Sequence, residues 1–164
     1  TLARVHAAAF AGATVLIAAS DILVAVPNAE LAVTKVRIGL IPAVISPYVV
    51  QALGPRAARR YMLTAEPFSA AEAYRLGLIH ELVPDEAALD EAVGEVVDAL
   101  LNNGPAAQAE CKALIAAVAD RPIDAALIED TALRITRVRA SAEGREGVLA
   151  FLEKRKPAWL AAPR

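Results

Sequence analysis

The chain has 164 residues, which is enough for one core with at most one appended layer. Its formal net charge of -2 argues against general nucleic-acid binding, which depends on a surplus of basic residues. Hydrophobic residues make up 57% of the chain, but the longest nearly uncharged run, residues 7–20, is shorter than the roughly 20 residues of a membrane span. We therefore expect neither nucleic acid nor a membrane as a partner.

Short strands and helices alternate in the first half of the chain. Apolar, β-branched runs predict strands at residues 1–5, 21–26, 29–33 and 78–84. Helical patterns and their end signals predict helices at residues 13–20, 46–53, 56–65 and 69–77. The run 13–20 is apolar on all sides, so we expect that helix to be buried on every face. The alternation predicts α/β layering.

Only helical patterns remain after residue 84. Apolar residues recur every three or four positions over residues 89–101, and the sequence "NGP" ends that helix. Further helices are predicted at residues 105–119, 123–140 and 144–155. This loss of strand patterns after residue 84 predicts a mixed α/β part, residues 1–85, followed by a helical part, residues 86–164.

The usual sets of catalytic side chains are absent from the sequence. It contains no Gly-x-Ser-x-Gly elbow, no P-loop and no Gly-x-Gly-x-x-Gly after a strand. His6 and His80 stand alone, so a structural role is favoured for each and no metal site is expected. Cys111 is expected to be a small core residue. Because a single cysteine cannot form an internal disulfide, we expect a reducing compartment, the cytoplasm.

One turn can do chemistry without a reactive side chain. The sequence "AFAGATV" places Gly12 at the start of a predicted helix, where backbone N–H groups lack helical partners. Such a donor can stabilise an oxyanion that develops on a carbonyl group. From the sequence pattern alone, the favoured explanation for a glycine at position 12 is tight packing rather than catalysis.

Three arginines share the predicted helix 56–65. Arg56, Arg59 and Arg60 could bind a phosphate group, since guanidinium groups match phosphate geometry. Charged helix faces more often lie in solvent without a ligand. The sequence alone favours that simpler role.

Three segments together resemble the crotonase (enoyl-CoA hydratase/isomerase) family. They are "AAAFAGATVLIAASDILVAVPNAELAVTKVRIGLIPA", "LGPRAARRYMLTAEPFSAAEAYRLGLIHELVP" and "EGREGVLAFLEKRKPAW". The resemblance covers essentially the whole chain and is closest to bacterial methylglutaconyl-CoA hydratase-like members. It implies an α/β fold, the later part of a crotonase-type ββα spiral, followed by a C-terminal helical segment that forms oligomers. The N-terminal part of the family fold is expected to be absent.

The resemblance implies an acyl-CoA-processing lyase or isomerase. In such enzymes two backbone N–H groups polarise a thioester carbonyl, and carboxylates move a proton or activate water. One of these N–H groups maps onto Gly12. Ala11, where the family usually has glycine, is expected to line the substrate path.

The glutamates of typical family members have no equivalent here. Their positions map onto Val15 and Lys35. A lysine side chain is protonated at neutral pH and cannot serve as a base there. Lys35 is therefore expected to face solvent rather than to take a new catalytic role. Glu30, five residues earlier, is a poor replacement, because alternation along a strand need not bring it to the same place.

The family's CoA site and assembly give further expectations. Phe151 and Lys154 map onto residues that lie near the CoA nucleotide, although an ordinary charged helix with one core phenylalanine is an equal alternative. CoA would be part of the substrate, so no separate cofactor is implied. A homotrimer or a dimer of trimers is expected.

Two functions stay open at this point. The first is an enoyl-CoA hydratase/isomerase relative, of the methylglutaconyl-CoA hydratase type. The second is a catalytically silent crotonase-fold protein that binds acyl-CoA or joins active paralogues, because Val15 and Lys35 replace the expected acids.

Overall fold

A computed structural model describes residues 1–161. Its contacts divide the chain into two units, Thr1–Val96 and a second unit that begins at Val97. The boundary lies within a helix, Glu86–Leu101, that starts where the mixed part was predicted to end. The division at residue 85 stays a prediction.

Two three-stranded sheets lie in the first unit. The six strands β1 to β6 are Leu2–Val5, Ala9–Phe10, Ile22–Ala25, Glu30–Ala32, Phe68–Ser69 and Glu81–Leu82. One sheet has the order β1-β3-β6 and is parallel throughout. In the other, β4 is central, parallel to β2 and antiparallel to β5. The predicted strands 1–5, 21–26 and 29–33 are confirmed. The sequence does not predict β2 and β5, because each is only two residues long and so shows no periodic pattern.

The predicted strand 78–84 is wrong over its first half. The N–H groups of Leu78 and Ile79 both donate to the carbonyl oxygen of Ala73, at 2.9 and 3.3 Å. These bonds close the turn after the preceding helix and hold both residues out of the sheet. The first backbone bond to β3 is made by the His80 N–H to the carbonyl oxygen of Leu23 at 3.0 Å, and paired residues begin with Glu81 opposite Val24.

Helices connect the strands of the first unit. The helices α1 to α4 are Gly12–Ala18, Ser46–Thr64, Ala70–Arg75 and Glu86–Leu101, and a short 3-10 helix covers Lys35–Ile38. The two helices predicted at 46–53 and 56–65 form α2, which is interrupted at Gly54. The φ of 71° there favours glycine. The sequence Ser69-Ala-Ala-Glu72 predicts a capping box at the start of α3, and half of it forms. Ser69 Oγ accepts from the Glu72 N–H at 3.2 Å, whereas the Glu72 carboxylate accepts from Arg75 and Tyr61 instead of the Ser69 N–H.

A continuous apolar core fills the first unit. The largest fully buried aliphatic side chains are Leu23, Leu31, Ile79 and Leu89. Within it the rings of Tyr61 and Phe68 lie 4.1 Å apart, centroid to centroid.

The prediction that the helix at 13–20 is buried on every face is wrong for this chain. Helix α1 buries only Thr14 and Ile17, and Leu16 is 73% exposed. The reason is that α1 packs along one side, against α2 and β2. An apolar composition shows that a helix can be buried, but neighbouring elements decide which faces are covered.

The second unit is helical. After the end of α4 it contains α5 (Pro105–Val118), α6 (Ala125–Ala140), α7 (Ala142–Leu152) and α8 (Ala158–Ala161). The three predicted helices are confirmed with ends shifted by a few residues, and α8 was not predicted. Cys111 is exposed, contrary to the expected core position, because α5 buries none of its residues. None of the helices within residues 1–161 is both long and apolar enough to cross a bilayer.

Candidate functional site

The turn between β2 and α1 is fastened to the end of β4. The Ala11 N–H donates to the carbonyl oxygen of Ala32 at 3.1 Å. The Thr14 hydroxyl lies 2.8 Å from the carbonyl oxygen of Ala9 and 3.0 Å from that of Ala32. A hydroxyl has one proton to donate, so these two carbonyl groups share it. Because Thr14 is only 1% exposed, this polar contact fixes the turn from inside the unit.

Sequence reasoning missed the role of Thr14. A usable signal was present, since Thr14 is the sole polar side chain between His6 and Ser20. A polar group in such an apolar stretch needs hydrogen-bond partners once it is buried. The partners lie at the ends of β2 and β4, a pairing that the sequence pattern did not reveal.

Gly12 is the first residue of α1, with Ala11 as its N-cap. The Gly12 N–H donates to no atom of residues 1–161. A Cβ added at Gly12 would have no atom within 4 Å, and its φ is not in the positive range. Neither packing nor backbone conformation in the described chain therefore accounts for the glycine.

Ala11 has the strained backbone of the turn. Its φ is 51° and its ψ is -109°. A side chain with a Cβ rarely adopts a positive φ, and the cost is of order 1–3 kcal/mol per residue. The strain persists because the bonds of Ala11 and Thr14 to the end of β4 fix the turn on both sides.

The substitution Ala11→Gly is expected to raise the free energy of unfolding by about 1 kcal/mol. Glycine relieves the strain at φ 51°, and this gain exceeds the entropy that glycine adds to the unfolded chain. Urea unfolding of both proteins measures the difference. The matched control is Ala13→Gly, at the exposed second residue of α1 where φ is not positive, which should lower stability by roughly 0.5–1 kcal/mol. Equal signs for the two changes would contradict the strain at Ala11.

The two positions of the family's glutamates lie on the elements that meet at this turn: Val15 is on α1, and Lys35 comes three residues after Ala32, the end of β4. Val15 is half-buried on α1. Lys35 is exposed, begins the 3-10 helix and is in no ion pair among residues 1–161. Lys35 is exposed as expected, and its lack of a catalytic role stays a prediction. Glu30 is also exposed, at the first residue of β4.

An arginine fastens the 3-10 helix. Arg37 Nη2 donates to the carbonyl oxygen of Ala65 at 2.7 Å, where Ala65 ends α2 with a φ of 54°. This bond ties the segment that begins with Lys35 to the end of α2. The position of Lys35 is thereby fixed through the backbone.

Phe151 and Lys154 lie in the second unit. Phe151, near the end of α7, is 81% exposed, so the alternative of a core phenylalanine is wrong. Lys154 follows α7 with a φ of 54°. Beyond it, Arg155 donates to both carboxylate oxygens of Glu146 at 2.7 and 2.9 Å, which together with the Ala158 N–H lowers the pKa of that carboxyl group to about 2. This clamp holds the chain immediately after Lys154.

The favoured structural role of His80 is confirmed. Its Nδ1 accepts from the Leu23 N–H at 3.1 Å and so caps the strand pairing between β3 and β6. Among residues 1–161 no three His, Cys, Asp or Glu side chains are grouped so that they could hold a metal ion.

The arrangement matches a known family over its whole described length. The family model for enoyl-CoA hydratase/isomerase matches residues 1–162. The chain belongs to the enoyl-CoA hydratase/isomerase family. The resemblance of its three sequence segments is therefore confirmed.

Solved structures of similar proteins have the same fold. A Legionella pneumophila protein provisionally named an enoyl-CoA hydratase/isomerase (crotonase) is 45% identical, with a TM-score of 0.89 over 97% of this chain and 61% of its own. An enoyl-CoA hydratase from Shewanella pealeana is 49% identical, with a TM-score of 0.88 over 93% of this chain and 57% of its own. These enoyl-CoA hydratase/isomerase structures confirm the crotonase-type α/β fold and its C-terminal helices.

A curated relative has a different substrate in its name. The carnitinyl-CoA dehydratase of Citrobacter koseri is 30% identical over 164 residues, which cover 96% of this chain and 62% of the relative. The chain thus spans about three fifths of the length of these three relatives. Membership of the enoyl-CoA hydratase/isomerase family is shown, and the acyl group is left open.

Proposed function

We propose that the protein binds an acyl-CoA thioester and polarises its carbonyl oxygen with the Gly12 N–H. The observation that supports this is a backbone donor without a partner, at a glycine that neither packing nor φ requires. A glycine lets a ligand approach the backbone closely, and a fixed N–H donor stabilises negative charge that develops on a carbonyl oxygen. The rigid turn around Thr14 keeps that donor in place.

The proposed substrate is an enoyl-CoA thioester of the methylglutaconyl-CoA type. In this reaction water adds across the double bond next to the polarised carbonyl group. Ala11, Val15 and Lys35 would line the acyl part of the path. Because neither Val15 nor Lys35 supplies a carboxylate, we expect slow hydration.

A second candidate function is a catalytically silent binding or assembly protein. The specific observation in its favour is that Lys35 is exposed and Val15 is apolar where typical members have acids. Such a protein would keep acyl-CoA affinity without turnover, or would join active copies in a mixed oligomer. It needs the Gly12 donor for binding only.

Self-association as a homotrimer or a dimer of trimers is part of the proposal. The second unit leaves many large apolar side chains uncovered, which favours an interface. They include Ile115, Ile128, Leu133, Ile135, Leu149, Phe151 and Leu152. Phe151 and Lys154 are proposed to contact the CoA nucleotide, with the lysine ammonium paired to a phosphate. No cofactor beyond the CoA of the substrate is proposed.

The experiment compares the full-length protein with its Gly12→Ala variant, using crotonyl-CoA and methylglutaconyl-CoA. We expect both thioesters to bind, with slow hydration of at least one. Gly12→Ala should lower kcat/KM by about 10²-fold, because the added methyl group displaces the carbonyl oxygen by on the order of 1 Å. Its Tm should not fall, since the new Cβ meets no atom within 4 Å.

The outcomes separate the two candidates. Turnover that depends on Gly12 supports the enzyme. Binding without any turnover supports the silent protein. Absence of both binding and turnover would refute the thioester site altogether.

A further inference from the structure

A basic cavity of about 600 Å³ lies in the first unit, away in sequence from the Gly12 turn. We define the arginine cavity by four arginines, namely Arg56, Arg59 and Arg60 of α2 and Arg75 at the end of α3. Glu72 is the one carboxylate in its lining. The volume is within the range of small-molecule sites, roughly 300–1,000 Å³.

Two of the four arginines are already neutralised. Arg75 donates to both carboxylate oxygens of Glu72, at 2.7 and 2.6 Å. Arg75 and the Tyr61 hydroxyl lower the pKa of the Glu72 carboxyl group to about 2, so it stays ionised at neutral pH. Arg60 forms an ion pair with Glu66. These two guanidinium groups therefore have their counter-charges within the protein.

The other two have none. Arg56 and Arg59 are exposed and form no ion pair with any of residues 1–161. They are three positions apart on α2, and Arg60 is four positions from Arg56. Like charges at these spacings repel each other. The arginine cavity thus has two unneutralised positive charges on one wall, which a doubly charged anion would balance.

Apart from the Tyr61 hydroxyl, which donates to Glu72, the rest of the lining is apolar. Leu53 is buried, Ala57 and Leu76 are half-buried, and the Arg60 guanidinium lies 5.2 Å from the centroid of the Tyr61 ring. A simple anion would leave this surface empty. An organic group attached to the anion would cover it.

We propose that the arginine cavity binds an organic phosphate monoester. A phosphate monoester carries a charge of about -1.5 to -2 at neutral pH, which matches the two free guanidinium groups. Planar guanidinium groups bind phosphate oxygens in pairs, and the apolar lining receives the organic part. The residues that line this site are distinct from those proposed to hold the thioester at Gly12. The arginine cavity differs from a solvated helix face because its free arginines line a concave surface together with apolar side chains.

The test measures binding of inorganic phosphate and phenyl phosphate to the full chain by calorimetry at constant, low ionic strength. We expect saturable binding of both, with phenyl phosphate the tighter ligand because its ring covers the apolar lining. The double variant Arg56→Gln/Arg59→Gln should weaken phenyl phosphate binding by at least about tenfold. Both side chains are exposed, so the circular dichroism spectrum should not change.

The matched control is Arg139→Gln/Arg145→Gln, which changes the net charge equally. Both residues are exposed, lie outside the arginine cavity and are in no ion pair among the described residues. The control should bind phenyl phosphate as the natural protein does. Equal losses in both double variants, no loss in the first, or no binding by the natural protein would overturn the proposal.

A competition experiment identifies the source of the phosphate group. CoA and dephospho-CoA differ only in the 3′-phosphate monoester. If CoA displaces phenyl phosphate and dephospho-CoA does not, the site takes the phosphate of CoA. If neither displaces it, the site takes a separate organic phosphate. Both results support a phosphate site at Arg56 and Arg59 and differ only in the molecule that supplies the phosphate.

Discussion

The substitution Lys35→Glu is expected to raise kcat/KM for hydration of crotonyl-CoA by about 10²-fold over the natural protein. The natural side chain is a cation that cannot activate water, whereas a carboxylate can accept the proton of the attacking water. Lys35 is exposed and in no ion pair within residues 1–161, so the change should alter stability by less than about 0.5 kcal/mol. Steady-state rates and a Tm on the same full-length preparations measure both effects.

Two further variants separate a gained base from a lost charge. Lys35→Gln removes the positive charge without adding a base, and it should leave hydration slow. The double variant Val15→Glu/Lys35→Glu adds a second acid at the other family position and should hydrate faster than Lys35→Glu alone. If the natural protein already hydrates crotonyl-CoA as fast as the two glutamate variants, the conclusion that the base is lost is wrong.

The parts of the fold that the sequence predicts correctly depend on local chemistry. The break at Gly54 follows from a glycine and a proline, and the start of α3 follows from the hydroxyl of Ser69. The strand at 21–26 has enough β-branched residues to be recognised without its partners. By contrast, β2 and β5 exist only because each pairs with β4, a contact between distant parts of the chain.

In the candidate site, too, local features are predictable from the sequence and long-range contacts are not. Gly12 was identified from a short motif and a family resemblance, and the structure places it at the first residue of α1. The anchoring by Thr14 was missed, because its acceptors come from two strands that meet only in the folded chain. The positive φ of Ala11 was missed for a related reason. Alanine gives no sign of strain in a sequence, and only the fixed path between β2 and α1 imposes it.

Burial was the least predictable property. Cys111 and Leu16 are both of apolar type, yet the structure leaves them exposed. Composition records how well a side chain tolerates burial, whereas exposure depends on which elements cover it. For the arginine cavity, the property that the sequence does not reveal is the pairing of charges. The sequence shows their charge, but only the structure shows that carboxylates neutralise Arg60 and Arg75 and leave the other two unpaired.

The largest loss of stability is expected for Leu31→Ala. Leu31 is fully buried on the central strand β4, in register with Ala9 of β2 and Phe68 of β5. Removing its side chain leaves a cavity against one face of the sheet, and Ala9 and Phe68 cannot close it because pairing with β4 holds them in register. The free energy of unfolding should fall by about 3 kcal/mol, in the usual range for leucine to alanine in a core.

The choice of probe decides whether this loss is seen. The single tryptophan, Trp159, belongs to the second unit, whereas the three tyrosines, including Tyr61, belong to the first. Urea unfolding of Leu31→Ala should therefore be followed by the tyrosine signal, with the midpoint lowered at an unchanged slope. The control is Leu63→Ala, which removes the same atoms from a side chain that is 74% exposed and should change stability by less than about 0.5 kcal/mol. Equal midpoints for the two variants would show that β4 does not lie at the centre of the packed core.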